Sequence, residues 1–286
     1  MGVGPRFGPA GRPINYTGRT SGVPKYLHSV GLDAFEYQAV RWGDKPKMSR
    51  KEAERLRLEA KHYDVRLSMH ASYFINFGDR RKVDVSLERL LACLTAACWI
   101  DAYIVVFHPG YYKDRSPEAA LQTCIDALRR LEELMDSRGI KGVYLGVETT
   151  GRSAQLGSLE EVVRICEEIE SARPVVDWAH LHARDGSASI STKEDYLRVL
   201  ETIEGRLGSQ VVKNLHVHFS KIEFTRKGER KHHPLDAADY GPDFRLFAEV
   251  IVELGLTPVI ICETPLLDID AVKMKEIYLS VRKGRG

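Results

Sequence analysis

The feature that most limits the fold of this chain is the regular alternation of short strand patterns with longer helical patterns. β-branched and aromatic runs predict seven strands, at 34–40, 65–69, 103–107, 143–148, 174–178, 211–219 and 257–262. The N-terminal stretch VGPRFG (3–8) is a weaker eighth candidate. Helical periodicity between the strands is clearest at 50–62, 83–98, 118–137 and 268–281. Such β-then-α units are typical of a parallel sheet with crossover helices.

Local capping signals agree with these helix boundaries. Ser116 followed by Pro117 predicts a helix start, and the segment 158–161 (SLEE) fits a capping box. Gly139 and Gly255 each stand where a helix should end before the next strand.

The number of units favours a closed barrel. Eight β-then-α units in 286 residues fit a single TIM-type (β/α)8 barrel better than an open doubly wound sheet. No G-x-G-x-x-G or G-x-x-x-x-G-K-[ST] sequence follows a predicted strand, so we expect no nucleotide cofactor. No repeat, linker or low-complexity tract divides the chain, and residues 1–286 are therefore interpreted as one domain.

Composition excludes several classes of protein. The net charge is only +2, with 42 basic and 40 acidic residues, so any contact with nucleic acid requires a local basic patch. The five cysteines form no C-x-x-C pair, which excludes a zinc ribbon or a thioredoxin motif. Neither a signal peptide nor an apolar run of membrane-spanning length is evident. We therefore expect a reduced, cytoplasmic protein that does not bind membranes.

The predicted strands share one further property, because a histidine or an acidic residue stands at the end of most of them. These residues are His70, His108, Glu148, Asp177 with His180, His216 and Glu263. The carboxyl ends of parallel barrel strands meet at one mouth, where active sites are built. Each residue alone has an ordinary explanation, such as a core histidine or a helix N-cap. Together they indicate a metal site, because buried carboxylates and imidazoles are costly unless they are paired or metal-bound.

The ligand types indicate which ions such a site would hold. Nitrogen and oxygen ligands without thiolate suit zinc or manganese, and ligands from six strand ends exceed the roughly four that one zinc ion takes. The sequence therefore predicts more than one ion. Two or three divalent ions in a basic mouth are well suited to hydrolysis of a phosphodiester.

Several short motifs resemble those of a known family. They are HASYFIN (70–76), FHPG (107–110), ETTG with GSLEE (148–161), DWAH (177–180), LHVHFSK (215–221) and ETP (263–265). In this order they resemble the endonuclease IV family of abasic-site repair enzymes, within the xylose-isomerase-like TIM barrels. The resemblance implies that a monomer incises damaged double-stranded DNA on the 5′ side of an abasic sugar, leaving a 3′-hydroxyl.

The resemblance also implies a three-zinc site with Glu148 and Glu263 as its catalytic carboxylates. The implied ligand sets are His70, His108 and Glu148 for the first ion; Glu148, Asp177, His216 and Glu263 for the second; His180 and His232 for the third.

Two departures from the family pattern affect this interpretation. The family's third ion also takes an aspartate two residues before its last histidine, where this chain has Arg230. Arginine does not serve as a ligand. Glu229, His182 or His218 could complete the third set, or the site could hold two ions. The second departure is His218-Phe219, where the family usually has Asn-Asp, and the loss of that carboxylate would loosen or retune the ligands.

DNA contacts are expected around the mouth. Tyr73 and Phe74 follow His70 where the family inserts side chains at the abasic gap, although two aromatic residues could also simply cap a barrel loop. Arg41-Trp42 could enter the minor groove or form a structural cation–π pair. A basic rim, or a merely solvated charged loop, is formed by Arg152, Lys221, Arg226, Lys227, Arg230 and Lys231.

Three functions remain open from the sequence. The leading hypothesis is a metal-dependent phosphodiesterase that acts on abasic DNA. The main alternative is a divalent-metal sugar isomerase or epimerase on the same barrel. The third is a nucleic-acid-binding homologue that has lost catalysis at its third ion site.

Overall fold

Eight parallel strands close into a barrel in the computed structural model, which describes residues 4–284. The strands along the chain are β1 Arg6–Pro9, β2 Ala34–Gln38, β3 Arg66–His70, β4 Ile104–Phe107, β5 Gly110–Tyr111, β6 Tyr144–Glu148, β7 Gln155–Leu156, β8 Ala172–Asp177, β9 His216–Phe219, β10 Lys221–Thr225, β11 Gly228–His233 and β12 Val259–Cys262. The barrel order is β1-β12-β9-β8-β6-β4-β3-β2, so successive barrel strands are neighbours, while β5 pairs with β7 and β10 with β11 outside the barrel. The prediction of a (β/α)8 barrel is confirmed.

Helices surround the barrel. They are α1 Val23–Ser29, α2 Arg50–His62, α3 Val83–Ile100, α4 Pro117–Ser137, α5 Leu159–Glu168, α6 Trp178–Ala183, α7 Lys193–Leu207, α8 Ser209–Lys213, α9 Phe244–Leu254 and α10 Leu267–Gly284, with 3-10 turns at Thr20–Gly22 and Arg80–Lys82. The caps follow the predicted signals: Ser116 accepts from the Ala119 amide, Ser158 forms a capping box, and Gly139 and Gly255 have positive φ. No helix in the described part of the chain is both long and apolar enough to cross a bilayer.

Side chains alternate between the interior of the barrel and the helix layer, as a strand requires. On β12, Val259 and Ile261 pack inside the barrel with Ala34, whereas Ile260 and Cys262 join the larger core beneath the helices. The same alternation brings the last inward-facing positions of the strands to the carboxyl-terminal mouth. The fold therefore fixes which residue of each strand reaches the site.

The predicted strand 211–219 is too long. Residues 209–213 form the short helix α8, and the strand β9 covers only His216–Phe219. β-branched residues at 211 and 212 misled the prediction, because Val212 is buried as part of a helix rather than a strand. The weaker strand candidate at 3–8 overlaps β1, which contains its residues 6–8. Val3 lies outside the described residues. That residues 1–286 form one domain stays a prediction.

The barrel closes between β1 and β2, where Gly8 is essential. A parallel bridge joins Ala10 to Glu36, and the Gly11 amide donates to the Glu36 carbonyl at 2.9 Å. A Cβ atom at Gly8 would lie 1.7 Å from the carbonyl oxygen of Ala34. Backbone atoms cannot move away as a flexible side chain could, so only glycine permits this approach.

We therefore expect Gly8→Ala to destabilise the protein by about 3 kcal/mol or more, since the overlap must be relieved by separating two strands. Gly205→Ala is the matched control. Gly205 lies in α7 with open space around its Cβ position, and alanine should stabilise that helix by about 0.5–1 kcal/mol. Urea unfolding measures both changes. Equal stability of Gly8→Ala and the parent chain would contradict this account of closure.

Candidate metal centre

The first ligand group lies where β3, β4 and β6 end. His70 is the last residue of β3, His108 follows β4, and Glu148 is the last residue of β6. One carboxylate oxygen of Glu148 lies 3.1 Å from His70 Nε2 and 3.0 Å from His108 Nε2. The structure therefore brings together the three residues that were expected to hold the first ion.

The second group shares Glu148 and differs from the expected set in one residue. Asp177, His218 and Glu263 complete it, and candidate ligand atoms of the four residues lie within 4.8 Å of one another. His218 Nδ1 is 3.1 Å from Glu148 and 3.4 Å from Glu263.

The assignment of His216 to this group is wrong. His216 and His218 both face the barrel interior, but His218 lies two residues, or about 6.6 Å, nearer the mouth. His216 instead contacts Glu36 on β2, at 3.1 Å, in a deeper layer. Glu36 was not identified from the sequence. Its signal was an acidic residue at an inward position of the strand AFEYQ, between outward-facing Phe35 and Tyr37.

The third group contains the carboxylate that the motif spacing appeared to lack. His180 Nε2 lies 2.8 Å from Glu229, and these two residues form a candidate ligand group with His232. A Cβ at position 151 would lie 2.4 Å from the Glu229 carboxylate, so Gly151 leaves the space that this carboxylate occupies. His182 is not part of the group, because its Nδ1 contacts the Ile190 carbonyl elsewhere.

A β-bulge explains how Glu229 and His232 reach the same ion site. Residues three apart on a regular strand face opposite sides. In the β10–β11 hairpin Phe224 pairs with Glu229 and Glu223 with Lys231, which leaves Arg230 as an extra residue. The bulge restores Glu229 and His232 to one face and turns Arg230 outward, where it pairs with Glu223. Arg230 therefore does not occupy the ligand position.

Phe219 also has a simple place in the fold. It faces outward from β9 and packs edge-to-face on Phe244, with ring centroids 5.0 Å apart. Its side chain belongs to the helix layer, away from the ligand groups.

Burial and opposite charges govern the electrostatics of the mouth. Burial disfavours the ionised form of Glu148, but His108 and His218 outweigh it and hold the pKa of that carboxyl well below its usual range. Burial likewise opposes the charging of His218, yet Glu36 and Glu263 raise its pKa well above the ordinary value. Burial raises the pKa of the Glu263 carboxyl. An ion at the second group would therefore displace a proton from His218, because its carboxylate neighbours raise the pKa of this imidazole.

The third group follows the same logic. Burial alone would raise the pKa of the Glu229 carboxyl, but the adjacent His180 lowers it to about 2. Carboxylate and imidazolium are thus paired when no ion is bound.

The donor set fits divalent ions. Around a tetrahedral zinc ion with bonds of about 2.0 Å, ligand atoms are roughly 3.3 Å apart, close to the separations above. Three buried atoms of the groups lack a hydrogen-bonding partner although an opposite charge is near: His108 Nε2, Asp177 Oδ2 and Glu229 Oε2. Atoms that converge without hydrogen-bond alignment are what an ion site requires.

The histidine rings are also oriented for ion binding. Nδ1 of His70 donates to the neighbouring carbonyl at 2.9 Å, and Nδ1 of His180 donates to the Thr149 carbonyl at 2.9 Å. Nδ1 of His232 is hydrogen-bonded to the Ser220 hydroxyl at 2.7 Å. In each case the second nitrogen is left for the ligand group, which is the usual arrangement of metal-binding histidines.

Two exposed aromatic side chains stand beside the mouth. Tyr73 is 51% exposed and its ring stacks on His108 at 5.8 Å, while Phe74 is 61% exposed. Arg89 holds Phe74 by a hydrogen bond to its carbonyl, 2.8 Å, and a cation–π contact with its ring. Tyr73 therefore contacts the first ligand group, and Phe74 is exposed next to it rather than buried over a loop.

The basic residues around the mouth differ in their exposure and in the contacts that they already make. Arg41 and Arg226 are exposed, and Arg152 lies 3.4 Å from Glu229. Lys221 is less available than expected, because its ammonium group donates to the Ala237 carbonyl at 2.7 Å. Trp42, next to Arg41, is buried and packs edge-to-face against a tyrosine of β2, so it cannot enter a DNA groove.

Comparison with known proteins identifies the family. A family model described as a xylose isomerase-like TIM barrel matches residues 24–276. An uncharacterized protein of Methanocaldococcus jannaschii is 30% identical over 276 residues, covering 95% of this chain and 96% of that protein. A probable endonuclease 4 of Staphylococcus carnosus is 26% identical, covering 70% of this chain and 72% of the relative.

Solved structures agree on the fold. Endonuclease IV from Thermus thermophilus superposes with a TM-score of 0.72 at 22% identity, covering 96% of this chain and 99% of that one. A D-tagatose 3-epimerase-like protein superposes with a TM-score of 0.63 at 19% identity, covering 91% and 93%. At these identities the superpositions speak for the fold alone. The family model covers most of the chain, which therefore belongs to the xylose isomerase-like TIM barrel family, with probable endonucleases 4 among its curated relatives.

Proposed function

We propose that this chain is a metal-dependent phosphodiesterase that incises double-stranded DNA on the 5′ side of abasic or otherwise damaged sites. The observation that carries the proposal is the convergence of three ligand groups on one barrel mouth, next to an exposed aromatic pair. Zinc suits the nitrogen and oxygen donors, with manganese as the alternative ion.

The ligand groups suggest a separate role for the ions and for each of the two catalytic carboxylates. Divalent ions held there would supply Lewis acidity toward phosphoryl oxygens and an activated water. Glu148 contacts both the first and the second group, so it would fix the spacing between their ions. The side chain of Glu263 is 14% exposed, more than the other two carboxylates of the second group, so it would help to hold an ion on the side from which the scissile phosphate approaches.

The third group argues against a homologue that has lost catalysis. That alternative rested on a missing carboxylate, and Glu229 supplies one 2.8 Å from His180. With it, each of the three groups would offer both imidazole and carboxylate ligands to an ion, which supports an active phosphodiesterase.

The aromatic pair suits a duplex with a missing base. An abasic site leaves a gap in the stack, and a flat apolar side chain that fills the gap recovers part of the cost of distorting the duplex. Phe74 is the more exposed ring and is held by Arg89, so it would enter the gap without first being ordered.

The exposed cations would bind the flanking phosphates. Arg226 lies at the tip of the β10–β11 hairpin, and Arg41 follows β2 on the same end of the barrel. Arg152 and Arg230 each have a carboxylate neighbour, so a phosphate would have to compete with Glu229 or Glu223 for them. Such contacts make affinity depend on salt.

A sugar epimerase remains the second candidate, because epimerase-like proteins share the fold. The second ligand group alone, with three carboxylates and one histidine, would serve a single divalent ion for that chemistry. An exposed Phe74 and a separate third group would then have no use. Binding to DNA distinguishes the two functions.

The first prediction concerns incision. Purified protein should cut an end-labelled duplex 5′ to a single abasic site, and a chelator should abolish the reaction. Glu148→Ala and His108→Ala should lower the rate by at least about 1,000-fold, since each removes a ligand of the first ion. Full activity in either variant would refute the ligand assignment, and no binding to any DNA would favour the epimerase.

The second prediction concerns the number of ions. Glu229→Gln should lower the zinc content of the purified chain by one ion, because an amide is a much weaker ligand than a carboxylate. The matched control is Glu223→Gln, in the same hairpin but paired with Arg230 and His233. Elemental analysis should find three ions per chain in the parent and control. Two ions in the parent would show that the third group does not hold zinc.

The third prediction concerns recognition of the gap. Phe74→Ala should weaken binding to abasic duplex about tenfold, since stacking on one aromatic ring contributes about 1–3 kcal/mol. Tyr144→Ala is the control, because this tyrosine is 42% exposed at the start of β6, the opposite end of the barrel. Fluorescence anisotropy with abasic and intact duplexes measures both. Equal losses for the two duplexes would argue against insertion.

A further inference from the structure

A fully buried carboxylate lies directly beneath the second ligand group. Glu36 sits on β2 inside the barrel, and its side chain has no exposure to solvent. Its oxygens lie 3.2 Å from His218 Nε2 and 3.1 Å from His216 Nε2. Ser68 and Gln38 donate two further hydrogen bonds, at 3.0 and 3.2 Å. Glu36 is not among the proposed ion ligands, and the proposed function gives it no role.

The layer around Glu36 is saturated with hydrogen bonds. Four donors surround its two oxygens, and Nδ1 of His216 is occupied by the Tyr103 hydroxyl. In the described part of the chain, none of the buried side-chain atoms without a hydrogen-bonding partner belongs to this layer. Glu36 and its partners satisfy one another, although their spacing alone would admit an ion.

His218 is supported differently from three other proposed histidine ligands. The outer nitrogens of His70, His180 and His232 contact neutral oxygens, two carbonyls and a hydroxyl. The outer nitrogen of His218 contacts a carboxylate. A charged acceptor fixes the ring more strongly and makes the opposite nitrogen a better electron donor than a neutral acceptor does.

We propose that Glu36 is a positioning residue that anchors His218 Nε2–H and so directs Nδ1 at the ion of the second group. The inference rests on the metal centre of the proposed function and not on its substrate. The remaining contacts keep Glu36 itself in place: Tyr103 fixes the His216 ring, and His216 and Ser68 each donate to the same carboxylate oxygen. Glu36 thus strengthens the binding of the second ion by orienting His218, without being a ligand itself.

The variant Glu36→Gln tests this role, because glutamine keeps the size of the side chain and loses the charge. Zinc affinity is measured without DNA, by competition with a chromophoric chelator. We expect one binding step to weaken by roughly 10- to 100-fold while the total number of ions is unchanged. The control Glu132→Gln alters a carboxylate that binds Ser171 outside the barrel, and it should leave every step unchanged.

A double-mutant cycle shows whether Glu36 acts through His218. In a His218→Ala background, Glu36→Gln should weaken zinc binding by less than about twofold, because the histidine that it supports is gone. An equal loss in both backgrounds would overturn the proposal. If Glu36→Gln fails to fold, Glu36→Asp keeps the charge and should give a smaller loss in the same titration.

The alternative that this layer holds its own ion has a distinct outcome. His216→Ala would then remove one whole ion, whereas the positioning role predicts an unchanged count. Unaltered affinity in Glu36→Gln overturns the proposal even if the parent chain incises DNA. The expected loss supports it even if the chain does not, so its failure and that of the proposed function can be told apart.

Discussion

The buried carboxylate of Glu148 is the interaction on which the rest of this site depends. It has no exposure to solvent and meets histidines from two different groups. An isolated carboxylate could not be buried at this depth, since its desolvation would cost several kcal/mol. The barrel meets that cost by surrounding the carboxylate with imidazoles at the ends of three other strands. The convergence of the strand ends is therefore an electrostatic requirement as well as a consequence of topology.

The interior of the barrel is polar to an unusual depth. An ordinary barrel fills its lower layers with branched aliphatic side chains. Here Glu36, His216 and Ser68 occupy a layer beneath the mouth, while Ile104, Val106 and Val175 form an apolar cluster beside it. The barrel has replaced part of its packing by hydrogen bonds, which are directional. Such a layer holds the ligand above it in one orientation, whereas aliphatic packing would only exclude water.

The sequence predicted most of the fold and most of the site, for identifiable reasons. Strand and helix periodicity placed the units, and the family motifs selected His70, His108 and Glu148, because each stands at the end of a strand of clear length. His216 was chosen over His218 because the resemblance of LHVHFSK to the family motif implied a ligand at position 216, whereas the position along β9 decides which histidine reaches the mouth. Glu36 was missed because one acidic residue within a strand gives no sign of partners 180 residues away. The bulge that recruits Glu229 depends on pairing in space, which spacing along the chain does not encode.

That bulge affects how relatives of this chain should be sought. A motif written as D-x-H assumes that the two ligands are two residues apart on a regular strand. The hairpin of β10 and β11 brings a carboxylate and an imidazole to one face from E-x-x-H, because Arg230 is an extra residue in the strand pairing. An alignment that forbids a gap at this point places an arginine opposite a ligand and suggests a lost ion. Homologues excluded for that reason should be re-aligned with a one-residue gap allowed in β11. A carboxylate either two or three residues before the histidine should then be accepted as a candidate ligand.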